Sequence, residues 1–193
     1  MNLPNKLTMS RIILTIVIII LCLFPFYSVG INFPKFNVSG IVVDSTYFLA
    51  GIIYIVAAIT DFLDGNIARK NNLVTDTGKM LDAIADKVLV NSILVIFAAK
   101  GFVPAIVPVI YIFRDEIVNT FKMDLGNKGK VVAAIKTGKI KTASMMVGIG
   151  LMFFYNLPFE LINIKMADFL IYFAVIMSII SGIEYYNMWK KNK

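Results

Sequence analysis

Long apolar runs separated by short charged stretches organise the whole chain, at Ile12–Phe26, Tyr47–Ile59, Val88–Ala99, Val103–Phe113, Ala143–Tyr155 and Phe169–Ile180. They predict six transmembrane helices. Several runs hold only about 11–15 apolar residues, whereas crossing the hydrocarbon takes about 20. The helices must therefore continue into polar flanks, and for the second and third runs that flank is rich in Asp. An ionisable side chain at membrane depth faces the bundle interior or a watery cavity, which makes it a candidate for function.

Between the runs, residues 28–45 carry Gly30, Pro34, Asn37 and Gly40 and read as an outside loop, with 70–77 and 123–138 inside. Asp124–Lys130, with two glycines and two lysines, reads as a mobile loop between the fourth and fifth helices. The first run follows a basic start as a signal peptide does, but no clear A-x-A site comes after it, so it is expected to stay as an anchor. Aromatics near helix ends (Phe24, Phe26, Tyr27; Phe153, Phe154, Tyr155; Tyr185, Tyr186, Trp189) fit interfacial belts or lipid-facing bulk. There is no internal repeat, and residues 1–193 are expected to form one membrane domain.

Composition narrows the chemistry. With 59% apolar residues, 16% charged residues and a mean hydropathy of +0.80, an ordinary soluble globule is excluded. The chain has no histidine and one cysteine, Cys22. It therefore cannot build a His-based triad, a Cys/His zinc site, a haem His ligand or an internal disulfide, and any metal must be held by oxygen. The net charge of +7 raises nucleic acid or anionic lipid as partners. With the N-terminus in the cytosol, sixteen of the 19 Lys and Arg fall at or near the cytosolic side, and only Lys35, Lys100 and Lys165 fall outside. This positive-inside asymmetry accounts for the charge without nucleic acid and places both termini in the cytosol.

The densest chemistry spans the second and third runs. Asp61 and Asp64 are three residues apart and Asp82 and Asp86 four apart, so on helices each pair shares a face. Two such helices joined by a short cytosolic turn would aim four carboxylates into one space, where unpaired anions repel by several kcal/mol per close contact. Something positive must sit among them. Oxygen ligation favours Mg²⁺, Mn²⁺ or Ca²⁺, and two carboxylate-bridged ions suit phosphate chemistry. Gly65, Ala68 and Gly78 alternate with these aspartates, either to pack helices or to let a ligand approach the backbone. Asp76, in T-D-T-G ahead of a helix, reads as a cap, and Arg69 as an anchor or a phosphate contact.

The spacing D-x2-D-G-x2-A-R-x8-G-x3-D-x3-D, carried by Asp61, Asp64, Gly65, Ala68, Arg69, Gly78, Asp82 and Asp86, resembles the signature of the CDP-alcohol phosphotransferases at every fixed position. The resemblance implies an all-α integral membrane protein of six transmembrane helices with a cytosol-facing intramembrane metal site. It implies two ions, Mg²⁺ or Mn²⁺, on Asp61, Asp64, Asp82 and Asp86, with Asp86 also the base toward the acceptor alcohol. Gly65 and Gly78 would lie against the nucleotide of a CDP-linked donor, beside Ala68 and Arg69. A homodimer is expected on the same ground.

Two further segments bear on the acceptor. L-P-N-K-L-T-M-S-R resembles the P-N-x-(I/L)-T-x-x-R opening of the family's bacterial members that use glycerol 3-phosphate, making Asn5, Thr8 and Arg11 donor contacts; a helix cap at Thr8 and an anchor at Arg11 are the alternatives. R-D-E-I-V-N-T-F-K and V-V-A-A-I-K-T-G-K-I-K-T resemble segments of the same members, which makes Arg114, Lys122, Lys139 and Lys141 candidates for binding the acceptor phosphate. Lys139 and Lys141 diverge by about 160° on a helix, so only one of them faces the phosphate. Lys139 is the expected one and Lys141 the surface charge. The chain departs from those members in having Asp115 for Glu, Lys122 for Arg and Met145 for Gln.

The expected reaction moves a phosphatidyl group from CDP-diacylglycerol to sn-glycerol 3-phosphate, giving phosphatidylglycerophosphate and CMP, with membrane lipids as partners and no nucleic acid. Inositol phosphate, serine or phosphatidylglycerol are the alternative acceptors. An intramembrane prenyltransferase would lack the G-x2-A-R element, and a divalent-cation transporter would not need a basic acceptor pocket.

Overall fold

A computed structural model describes residues 3–70, 76–130 and 133–192; the side chains of residues 3, 4, 6, 62–70, 76, 77 and 79 lie outside that description. Among the described residues there are six long helices: α1 (Leu3–Leu23), α2 (Ser45–Lys70), α3 (Asp76–Ala99), α4 (Ile106–Asn127), α5 (Lys136–Phe153) and α6 (Met166–Asn192). Their 18–27 residues correspond to roughly 27–40 Å of helix. As expected, α2 and α3 extend well beyond their apolar runs into the Asp-rich flanks, α2 to Lys70 and α3 from Asp76.

α1 packs against α2 and α3, while α6 packs against α4 and α5; the two triplets meet where α2 touches α5 and where α3 touches α4 and α5. The shared core contains Ile18, Tyr54, Leu89, Ile93, Phe97, Met145, Ile149, Phe153 and Ile171. Phe97 and Phe153 meet edge to face at 4.8 Å, and the Tyr54 hydroxyl donates to the Met146 carbonyl at 3.0 Å. Two glycines set the interhelical spacing. A Cβ at Gly51 would fall 2.8 Å from Phe153 Cβ, and one at Gly148 would fall 2.8 Å from Ile171 Cγ1, so neither position accepts a side chain without the helices moving apart.

The distribution of polarity is inverted relative to a soluble bundle. Thr8, Arg11, Thr15, Lys141, Ser178 and Ser181 are buried, while Ile13, Ile16, Val109, Phe113, Ile176 and Ile183 face outward. Among the described residues one helix, α6, is both long and apolar enough to cross a membrane by itself; the comparable stretches of α1 and α2 are shorter, Leu7–Leu23 and Ser45–Asp61.

Three expectations about the connections need correction. Residues 28–45 contain an antiparallel hairpin, β1 (Lys35–Val38) and β2 (Ile41–Asp44), which the all-helical expectation missed. Its turn places Ser39 and Gly40 at positive φ, and Asn37 Oδ1 accepts the Gly40 N–H at 2.8 Å. Asp124–Lys130 is not a mobile loop: α4 runs to Asn127, Leu125 is buried, Trp189 Nε1 donates to Asp124 Oδ2 at 2.7 Å, and Lys130 Nζ reaches the Asn192 carbonyl at 2.8 Å. Phe153 and Tyr185 are buried in packing contacts, so they belong to no interfacial belt. Of the 70–77 loop, residues 71–75 lie outside the described residues, as does the Asp76 side chain at the first position of α3.

Candidate active site

The inner stripe of α1 runs Thr8, Arg11, Thr15, Ile18, Cys22, all buried at alternating spacings of three and four. This register carries Arg11, with a fully buried side chain, between α2 and α3. Its Nη1 lies 2.6 Å from Asp61 Oδ1 and 3.1 Å from Asp82 Oδ1. One guanidinium nitrogen thus holds carboxylates from two different helices. Asp61 and Asp82 remain 31% and 52% exposed, so both also open onto solvent-accessible space.

Asp82 and Asp86 continue the buried stripe of α3 that runs through Leu89, Ile93 and Phe97. Asp86 lies within electrostatic reach of Arg11 and Asp82 and also of Lys141 and Asp115. The Asp64, Gly65, Ala68 and Arg69 side chains lie outside the described residues, although their backbone belongs to α2. Gly78 is half-buried one turn ahead of Asp82. Among the described residues no three Asp, Glu or Cys side chains come together as a metal-binding group. The positive charge required among the aspartates is supplied, for Asp61 and Asp82, by Arg11. The sequence alone reads Arg11 as a donor contact or an anchor and does not show this pairing.

A second cluster stands across Asp86. Buried Val107, Tyr111 and Val118 set the inward face of α4, and Arg114 shares it. Arg114 Nη1 donates to Asp115 Oδ1 at 2.8 Å, and Nη2 donates to Ser181 Oγ of α6. Lys141 Nζ donates to the same Asp115 Oδ1 at 2.5 Å and sits 3.9 Å from the centre of the Tyr111 ring. Lys122 Nζ stands 4.7 Å from the Tyr185 ring centre, and Arg114 Cζ stands 5.8 Å from it. Arg114 Nε is buried with no hydrogen-bond partner among the described residues. Such an orphan donor suits an incoming anion.

The burial of the two lysines is the reverse of that expected. Lys141 is buried and ion-paired, whereas Lys139 is exposed. The divergence argument was sound, but the signal that decides between them is the buried stripe of α5. It runs Lys141, Met145, Gly148, Ile149, Met152, and extending that apolar period backwards lands on 141. The sequence does not single out Ser181 and reads Tyr185 only as an interfacial or lipid-facing aromatic, because a serine and a tyrosine inside an apolar helix carry no distinguishing pattern. Asn5 is half-buried and Thr8 buried near the start of α1, on the Arg11 side of the bundle.

Residues 1–180 match the sequence pattern of CDP-alcohol phosphatidyltransferases. The chain belongs to this family. It is similar to proteins named CDP-diacylglycerol–glycerol-3-phosphate 3-phosphatidyltransferase in several bacteria. Identity is 37% to that of Bacillus subtilis, over 96% of this chain and 94% of the relative. It is 32% to that of Rickettsia bellii, over 98% and 96%. It is also 32% to that of Haemophilus influenzae, over 98% and 94%. Membership makes the chain a phosphatidyltransferase, and the match takes in Asp61, Asp82, Arg114 and Lys141 alike, with Ser181 and Tyr185 just past its end.

Proposed function

We propose that the chain transfers the phosphatidyl group of CDP-diacylglycerol to sn-glycerol 3-phosphate, releasing CMP and forming phosphatidylglycerophosphate. The observation that carries this reading is the pairing of an acidic cluster on α2 and α3 with a basic cluster on α4 and α5, with Asp86 in electrostatic reach of both. The extended similarity to relatives named for this reaction supports it.

Asp61, Asp64, Asp82 and Asp86 would hold divalent ions, Mg²⁺ or Mn²⁺ and two in number. The donors are all oxygen, and Asp61 and Asp82 already converge on one cationic nitrogen, so the residues present fit a hard cation. Ions held there would supply the positive charge that offsets the donor diphosphate and the CMP leaving group. Arg11 holds Asp61 and Asp82 at a common point. Asn5, Thr8, Gly65, Ala68, Arg69 and Gly78 flank the donor. Arg114, with Lys141 and Lys122, binds the phosphate of the acceptor. Asp86 takes the proton of the attacking hydroxyl as its oxygen bonds to the phosphatidyl phosphorus and the bond from that phosphorus to CMP breaks.

The chain is one membrane domain of six spans with both termini cytosolic, and it works as a homodimer. The inverted polarity of the bundle supports burial in lipid, and the concentration of Lys and Arg at the end that carries the clusters supports the orientation. Purified protein given CDP-diacylglycerol and a panel of acceptors should release CMP with glycerol 3-phosphate and Mg²⁺. Faster release with inositol phosphate, serine or phosphatidylglycerol would reject the acceptor assignment, and ion flux into liposomes without lipid turnover would reject the enzyme.

A further inference from the structure

Three features of one face of α6 converge on the basic cluster. Ser181 Oγ accepts from Arg114 Nη2 and is itself fixed, donating to the Met177 carbonyl at 2.7 Å. Gly182 makes room for the same side chain: a Cβ there would stand 3.2 Å from Arg114 Cγ and 3.5 Å from its Nε. Tyr185, 4% exposed, presents its ring to both Lys122 and Arg114. Its hydroxyl accepts the Ile135 N–H at 3.3 Å and lies 3.4 Å from the Ala133 carbonyl, so it also ties down the segment leading into α5 and Lys141. A ring face attracts a cation without neutralising it. A carboxylate in the same place would consume the charge by pairing.

We propose that Tyr185, with Ser181 one turn before it, is the positioning residue that sets where the Arg114 and Lys122 charges stand and thereby sets affinity for the phosphate of the acceptor alcohol. This rests on the reading that Arg114 binds that phosphate. Ser181 and Tyr185 fall beyond residues 1–180, the part that matches the family as a whole. The device keeps the cluster rigid yet still charged: Arg114 spends one nitrogen on Asp115 and one on a neutral hydroxyl, and Lys122 faces a neutral ring.

The test is a kinetic comparison of Tyr185→Leu, Tyr185→Phe, Ser181→Ala and Arg114→Ala in the full-length protein with Mg²⁺, varying glycerol 3-phosphate and CDP-diacylglycerol separately. Tyr185→Leu should raise the KM for glycerol 3-phosphate about tenfold with the KM for CDP-diacylglycerol unchanged. Tyr185→Phe, which keeps the ring and loses only the hydroxyl, should recover most of that loss. Ser181→Ala, a change too small to threaten folding, should raise the same KM about threefold. If Arg114→Ala shows the selective rise and neither Tyr185→Leu nor Ser181→Ala does, or if Phe is as poor as Leu, the positioning role is wrong and the reading of Arg114 stands. If Arg114→Ala itself raises both KM values equally, that reading fails and takes the positioning role with it.

Discussion

Two arginines anchor two clusters near the same end of the bundle, and they leave opposite charge behind. Arg11 is fully buried and serves two carboxylates, Asp61 and Asp82, with Asp86 close by, so the α1–α3 cluster remains negative after its own cation is counted. Arg114 shares one carboxylate, Asp115, with Lys141 and rests its remaining contacts on a serine and a tyrosine ring. The other carboxylate nearby, Glu184, accepts from Thr137 at 2.6 Å, and with Lys122 included the α4–α6 cluster remains positive. A cluster with surplus charge attracts its complement, so the first favours a cation and the second an anion. On the proposed reading, this difference in residual sign would let the two clusters receive a metal-dependent diphosphate and a second phosphate side by side.

The largest effect should come from emptying the negative side. Asp82→Ala should lower turnover by about a thousandfold or more while leaving membrane insertion intact, and chelation should do the same to the unaltered protein. Full activity in excess chelator would remove the negative cluster from the chemistry. Asp86→Asn, at the boundary between the clusters, should lower kcat by about a hundredfold with donor affinity retained. A normal single-turnover rate with lost donor binding would make Asp86 a binding residue and put the base elsewhere.

The positive side should yield smaller and more selective losses. Arg114→Ala should raise the KM for glycerol 3-phosphate by about ten- to a hundredfold and that for CDP-diacylglycerol little. The lysines divide the structural reading from the sequence expectation. Lys141→Ala should raise the acceptor KM about tenfold, and Lys139→Ala should stay within about twofold of the parent. The opposite order would return Lys139 to the pocket and make the Asp115 pair incidental.

The aspartate spacing was legible because helical periodicity converts a count along the chain into a face, and because four anions demand a neutralising partner. The same arithmetic showed that Lys139 and Lys141 point apart. It does not by itself say which of them is inside; the period of Met145, Ile149 and Met152 does, and it places Lys141 there. Arg11 was read as a donor contact because nothing in a single helix reveals which carboxylates of other helices it will meet. The hairpin escaped because its four-residue strands sit in a stretch dominated by turn residues. Tyr185 reads from the sequence only as an interfacial aromatic and Ser181 as nothing in particular, because a single helix does not show what packs against them.

The opposition between the clusters is tested most directly by binding rather than turnover: Mn²⁺ titrated by paramagnetic resonance and glycerol 3-phosphate by calorimetry, in Asp82→Ala and Arg114→Ala side by side. Asp82→Ala should lose Mn²⁺, whereas Arg114→Ala should bind Mn²⁺ like the parent and lose glycerol 3-phosphate. Equal loss of both ligands in either variant would contradict a site divided by sign.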